Sequence, residues 1–390
     1  MKKLACVILS LVLIFSIALG EIPEVEIMQK EFKDSAALEF VRGMGMGWNL
    51  GNTFDANSNA WVKDEMDYET AWQGDKTTEE LIEALKNAGF KTLRVPVSWH
   101  DHVDADFNIS EKWLDRVEEV VSWAYERDMY VIINIHHDCD PAYYYPSKAC
   151  LDNSKKYVEA IWTQLSARFE KYGEKLIFEN LNEPRLKDTQ YEWQCDAGIA
   201  EVSESMACIN VLNQLFVNTV RASGGNNATR YLMVSGYDAA PDGALSGKFI
   251  VPQDTADNKI IISTHAYIPY NYALQSPDEE GSTDEWSMDS TASTAVIDNT
   301  MERLYQRYVR VGIPVVMGEF GSRAKGDNID SRVQHAAYYS AAAAARGIPC
   351  VWWDNNAFTG SGELFGIINR KTCTLVYPEL VEALVKYAVK

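Results

Sequence analysis

The chain has 390 residues, with 56 acidic against 36 basic side chains and a formal net charge of −20. Such a surface repels nucleic acid and anionic lipid, which leaves uncharged polymers as the natural macromolecular partners. The length does not require two domains, because α/β barrels routinely exceed about 250 residues as one unit.

The first element reads as a secretory signal. Lys2 and Lys3 precede an apolar stretch from Leu4 to Leu19, and the small residues Ala18 and Gly20 stand where a signal peptidase cuts. Residues 1–20 are therefore assigned to a signal peptide and 21–390 to a single domain, and loss of Lys2 and Lys3 takes the net charge to −22. A membrane anchor is the competing reading, but serines interrupt the stretch and no other segment is long and apolar enough to span a bilayer. The expected location is extracellular, with no membrane and no obligatory protein partner.

Beyond the N-terminal segment, short β-branched apolar runs alternate with longer helix-periodic ones. Eight runs read as strands: 43–49, 92–98, 129–137, 175–182, 231–237, 259–267, 313–320 and 348–354. Helical stretches fall at 78–88, 111–127, 154–172, 200–222, 292–311, 332–346 and 378–389. Eight such units favour a closed (β/α)8 barrel over an open sheet. The connections from helix back to strand are short, whereas those leaving strands are long, at 138–153, 184–199, 238–258 and 268–291. Function belongs on the long-loop side, at the strand C-termini. Those loops carry Tyr143, Tyr144, Tyr145, Tyr191, Trp193, Tyr270, Tyr272 and Trp286, and aromatic rings pack well on the C–H faces of sugars.

Two glutamates end apolar runs on that side. Glu183 follows LIFENLN and Glu319 follows IPVVMG, and a pair of carboxyls is the minimum equipment for breaking a glycosidic bond. Gly318 and Gly321 flank Glu319 and could let substrate approach the backbone. Arg94 lies in an otherwise apolar strand, where its charge needs a partner, and Glu319 is available. His136, His137, Asp138, His265, Tyr267, Trp352 and Trp353 close neighbouring strands. Strand alternation sends adjacent histidines to opposite faces, which argues against His136 and His137 sharing a metal. One of them, preferentially His136, faces the cleft.

Cys139, Cys150, Cys195, Cys208, Cys350 and Cys373 remain after the signal. In a secreted chain such a set favours disulfides, and the spacings suggest 139 with 150, 195 with 208 and 350 with 373. Asn108 and Asn227 begin glycosylation sequons.

The segments GWNLGNTFDA (47–56), LRVPVSW (93–99), NIHHD (134–138), NLNEPR (180–185), HAY (265–267), GEFG (318–321) and WWDN (352–355) together resemble glycoside hydrolase family 5, in particular its subfamily 4 of endo-β-1,4-glucanases. The resemblance spans nearly the whole mature chain. It implies a (β/α)8 barrel acting on cellulose or a related β-glucan, with Glu183 as acid/base and Glu319 as nucleophile, and no metal or cofactor. Arg94, His136, Asn182, His265 and Tyr267 are implied as their supporting shell. Trp353, of the pair 352–353, is the implied platform under the sugar at the cleaved bond, and Trp72 is implied near the non-reducing end. In that reading Arg94 and Tyr267 keep Glu319 ionised while the nearby charge keeps Glu183 protonated. Xyloglucan, mixed-linkage glucan and mannan are rival substrates of the same fold, and a non-catalytic glycan-binding barrel is the rival class.

Overall fold

The computed structural model describes residues 22–389, so the signal-peptide assignment lies outside the described residues. Eight parallel strands close into one barrel: β1 Met46–Leu50, β2 Thr92–Val95, β3 Tyr130–Ile135, β4 Leu176–Leu181, β5 Leu232–Ser235, β6 Ile260–His265, β7 Val315–Phe320 and β8 Cys350–Asp354, with β8 pairing back onto β1. Each falls inside or just beyond the run expected from the sequence. The expected helices are present as Glu79–Asn87, Glu111–Glu126, Leu151–Arg168, Ala200–Ala222, Thr291–Arg307, Ile329–Ala344 and Pro378–Lys386. Between β5 and β6 the helical layer shrinks to the five residues Pro241–Leu245.

Side-chain alternation divides the barrel wall into two cores. Val131, Ile133, Phe178, Val234, Ile262 and Met317 point outward into the large core shared with the helices. Ile132, Ile177, Met233, Ile261, Val316 and Val351 form a separate inner core, closed from below by Ala37, Val41 and Met44. Those three come from Ala36–Gly43 and the residue after it, a helix that lies outside the expected set. It seals the barrel floor with apolar side chains.

Two residues further along several of these strands the same face turns polar. Ile132 is followed by Asn134, Ile177 by Glu179 and Ile261 by Ser263, all fully buried. The barrel is thus apolar at its base and hydrogen-bonded at its mouth.

The strands that deliver the two glutamates each carry one extra residue there. Asn134 pairs with Glu179 while Ile135 pairs with Leu181, leaving Asn180 as the insertion on β4. Thr264 pairs with Met317 while His265 pairs with Glu319, leaving Gly318 as the insertion on β7. A bulge shifts every later side chain by one face. Glu319, which strict alternation after Val316 would send outward, is thereby turned into the mouth.

The cysteine pairing expected from spacing is not found: Cys139, Cys150, Cys195, Cys208, Cys350 and Cys373 are all free. Cys350 opens β8 at the barrel base, whereas Cys373 sits beside the hairpin of Ile368–Asn369 and Thr374–Leu375 beyond the other end of that strand. The length of β8 alone exceeds the reach of a disulfide. Cys139 instead donates to the Arg185 carbonyl, and the Cys195 thiol faces the Tyr237 carbonyl. The Asn227 sequon is also closed, because its side chain is buried and donates to the Ser166 carbonyl and to the Ser223 hydroxyl.

Candidate active site

Arg94 is the hub of the barrel mouth. It is fully buried, and its guanidinium donates at 2.7 Å to Glu319 through Nη1, at 2.7 Å to Glu179 through Nε and at 2.8 Å to Asn182 through Nη2. Nη1 also reaches Asn49 Oδ1 at 2.9 Å. Buried ion pairs are tolerable only when hydrogen bonds satisfy their donors, and this guanidinium places four of its five N–H groups on acceptors. Glu179, which the sequence reading did not single out, takes further bonds from Ser263 Oγ at 2.6 Å and Asn134 Nδ2 at 3.0 Å. The clue to it was the same as for Arg94: a charge inside an apolar parallel strand.

Glu319 is 5% exposed, and its second oxygen accepts from the Tyr267 hydroxyl at 3.0 Å. Glu183 stands across the mouth with a more open side chain, 21% exposed. One oxygen of Glu183, one of Glu319 and a ring nitrogen of His265 all lie within 4.8 Å of one another. His265 Nδ1 is 2.8 Å from Glu183 Oε1 and 3.8 Å from Glu319 Oε1.

The three groups titrate together. Burial works to raise the Glu183 pKa, but the hydrogen bond and charge of His265, with Arg185 adding, outweigh it and hold Glu183 down to about 2. Burial works against a charge on His265, yet Glu319 and Glu183 outweigh that and raise its pKa. Burial pushes Glu319 up, against the pull of His265 and Arg94. These directions favour the shared proton on His265 and the negative charge on Glu183 in the resting enzyme. Moving this one proton along the 2.8 Å contact produces a neutral Glu183 and a neutral His265.

Arg185 and Asp238 complete the Glu183 side, and neither was assigned a role from the sequence. Arg185 Nη1 is 3.5 Å from Glu183 Oε2, and its Nε is 3.0 Å from Glu192 and 3.9 Å from Asp238. Asp238 has φ of 58°, a left-handed conformation uncommon for a non-glycine residue. Burial, then the charge of Glu183, pushes its pKa up to about 9. The exposed ring of Trp193 lies 4.3 Å above the Arg185 guanidinium.

On the opposite side, Trp353 follows Val351 on the inner face of β8 and stacks parallel to His136, with ring planes 2° apart and centroids 5.9 Å apart. Trp352 points outward, fully buried, and donates to the Phe365 carbonyl. Gly51 passes so close that a Cβ there would meet Trp353 at 2.6 Å. A Cβ on Gly318 would meet His265 at 3.0 Å and one on Gly321 would meet Phe365 at 3.0 Å. These two glycines thus make room for the protein's own side chains. Trp72 is 40% exposed, donates to Asn59 Oδ1 and lies 5.8 Å from the His137 ring.

His136 and His137 do not diverge as strand alternation required. β3 ends at Ile135, the two rings are 4.4 Å apart, and both approach Asp55. Their ligand atoms and an Asp55 oxygen fall within 4.8 Å of one another. Both Asp55 oxygens accept backbone N–H groups, from Thr53 at 2.7 Å and Asn52 at 3.0 Å.

Comparison with known proteins agrees with this geometry. Residues 54–359 match the model of the cellulases of glycosyl hydrolase family 5. The chain is 40% identical to endoglucanase B of Ruminococcus albus, over 95% of this chain and 86% of that one. Among solved structures, a family 5 lichenase from Caldicellulosiruptor sp. F32, studied as a mutant with cellotetraose, superposes with a TM-score of 0.94 at 54% identity, covering 95% of this chain and all of that one. A subfamily 4 broad-specificity endoglucanase from Ruminococcus champanellensis with bound cellotriose gives a TM-score of 0.82 at 41% identity, covering 91% and 100% of the two chains. A (β/α)8 barrel with two glutamates converging at its mouth, matched over most of its length by these proteins, is a glycoside hydrolase, and the chain belongs to family 5.

Proposed function

We propose that this glycoside hydrolase is a secreted endo-β-1,4-glucanase that cleaves internal bonds of β-glucans with retention of anomeric configuration. The observation that carries the mechanism is the approach of the Glu183 and Glu319 oxygens to within 4.8 Å. Retaining enzymes space their carboxyls about 5–5.5 Å apart, whereas inverting ones leave about 6.5–9.5 Å for a water.

Glu319 has the nucleophile's surroundings: Arg94 and Tyr267 hold its two oxygens and fix their direction. When substrate fills the cleft, the proton resting on His265 passes to Glu183. Glu319 then attacks the anomeric carbon while Glu183 protonates the departing oxygen. In the second half Glu183 takes a proton from water, which displaces Glu319. Asn182 Oδ1 is engaged by Arg94, which directs its amide N–H groups toward the sugar hydroxyl beside the reacting carbon. Trp353, packed on His136, supplies an apolar face for that sugar.

Within the β-glucans, mixed-linkage glucan is a second reading, favoured by the 54% identity to a lichenase. The glutamates do not choose between these, because specificity lies in the loops. Secretion rests on the apolar segment 4–19 behind Lys2 and Lys3. A panel of carboxymethylcellulose, barley β-glucan, xyloglucan and mannan, scored by reducing ends and viscosity, tests the function. The expected result is rapid viscosity loss on the glucans with mannan untouched. Release of only short sugars without viscosity loss would contradict endo action.

A further inference from the structure

The position of Glu179 has a chemical consequence. Arg94 is completely shielded from solvent and bridges two carboxylates, Glu179 through Nε and Glu319 through Nη1, each at 2.7 Å. Glu179 is itself fully buried, and its other bonds come from neutral donors, Ser263 and Asn134. It is too deep to touch substrate, lying one layer below the reacting carboxyls.

During glycosylation Glu319 forms a bond to the anomeric carbon as the glycosidic bond breaks. The electron pair leaves on the glycosidic oxygen, which takes the proton of Glu183. Negative charge thereby disappears from Glu319, now a neutral ester, and appears on Glu183 beside His265 and Arg185. Arg94 loses one carboxylate partner at that moment. Without a second, a buried guanidinium would stand uncompensated in the covalent intermediate, an arrangement far more costly than a paired one.

We propose that Glu179 is a positioning residue that keeps Arg94 paired while Glu319 is esterified, and so stabilises the glycosyl-enzyme relative to the resting state. The proposal rests on the assignment of Glu319 as nucleophile. Glu179 also divides the hold of Arg94 on Glu319 in the resting enzyme, leaving that carboxylate more reactive than an exclusive pair would.

The test separates the two half-reactions. The full-length enzyme is trapped with a dinitrophenyl β-cellobioside bearing fluorine in place of the hydroxyl beside the anomeric carbon, and the rates of inactivation and of reactivation by cellobiose are measured apart. In Glu179→Gln, inactivation is expected to slow by about 100-fold or more, while reactivation stays within about threefold of wild type or accelerates. Glu179→Asp, which keeps the charge, is expected to recover most of the inactivation rate. Ser263→Ala removes one hydrogen bond from Glu179 but no charge, and is expected to retain the wild-type ratio of the two rates. If the Gln variant does not fold, Glu179→Asp carries the test, because its longer reach to Arg94 is expected to slow inactivation more than reactivation, and equal slowing of the two would overturn the proposal. Parallel slowing of both half-reactions in Glu179→Gln, or a ratio in Ser263→Ala shifted as far as in the Gln variant, would overturn the proposal. Failure of the wild-type enzyme to become labelled on Glu319 would instead overturn the mechanism on which it rests, so the two failures are distinguishable.

Discussion

The Nδ1 atom of His265 lies 2.8 Å from Oε1 of Glu183, and this contact decides where the catalytic proton rests. The pair holds one proton between two groups, with Arg185 on the far side of Glu183 at 3.5 Å. The protonation of Glu183 is therefore set by its partner as much as by its own carboxyl.

The pH profile follows from that pair. The raised pKa of His265 keeps the shared proton in place above its ordinary value of 6.5, and activity is lost when the pair finally releases it. The raised pKa of Glu319 puts the acid limb above 4.5, because the nucleophile must be ionised. In His265→Asn the proton has only Glu183 to hold it. The alkaline limb of kcat/KM is expected to move to lower pH while the acid limb stays, and an unchanged alkaline limb would count against the shared proton.

Removal of each glutamate should give different signatures. Glu183→Gln is expected to slow hydrolysis of β-glucan by roughly 100-fold or more, with a smaller loss on aryl cellobiosides whose leaving group needs no proton. Glu319→Gln is expected to abolish turnover of both kinds of substrate. Equal losses in the two variants on an activated aryl substrate would contradict the division of roles.

Trp72 offers a half-exposed ring beside His137 and one hydrogen bond to Asn59. Truncation to alanine removes a stacking surface of about 0.5–1.5 kcal/mol, so KM for cellotetraose is expected to rise roughly two- to tenfold with kcat retained. A fall in kcat at constant KM would place Trp72 elsewhere in the mechanism.

Stability should fail on the acid side for a reason outside the cleft. His335 is buried among Tyr272, Trp286 and Tyr339, and burial holds its pKa down to about 4. His102, stacked on Trp113, is held to about 4 mainly by burial as well. Because the folded pKa values lie below the unfolded one, the native state binds fewer protons. The stability present above pH 6.5 is lost as pH falls toward 4, by about 3 kcal/mol per histidine. Calorimetry should show Tm dropping steeply over that window, and less steeply in His335→Gln. A Tm independent of pH between 7 and 4.5 would contradict this.

The barrel was legible because parallel strands buried on both faces read as continuous apolar runs, and because eight of them recur with helices between. Glu183 and Glu319 were legible as polar residues ending such runs. The route by which Glu319 enters the mouth was not, since the insertion of Gly318 reverses the alternation on which a sequence reading depends. His136 and His137 misled for a related reason: they lie beyond the end of β3, where alternation no longer holds. The Cys350–Cys373 pairing failed because the two residues, close in sequence, lie toward opposite ends of β8. Glu179 escaped notice because its partners come from β2, β3 and β6, and only closure of the barrel brings them together.

The central claim is double displacement by Glu319 and Glu183, and the anomer first released tests it most directly. Proton NMR of cellotetraose hydrolysis, recorded before mutarotation, should show the β-anomer of the new reducing end appearing first, with the α-anomer following by mutarotation. Initial release of the α-anomer would contradict retention, and with it the assignment of Glu319 as the nucleophile.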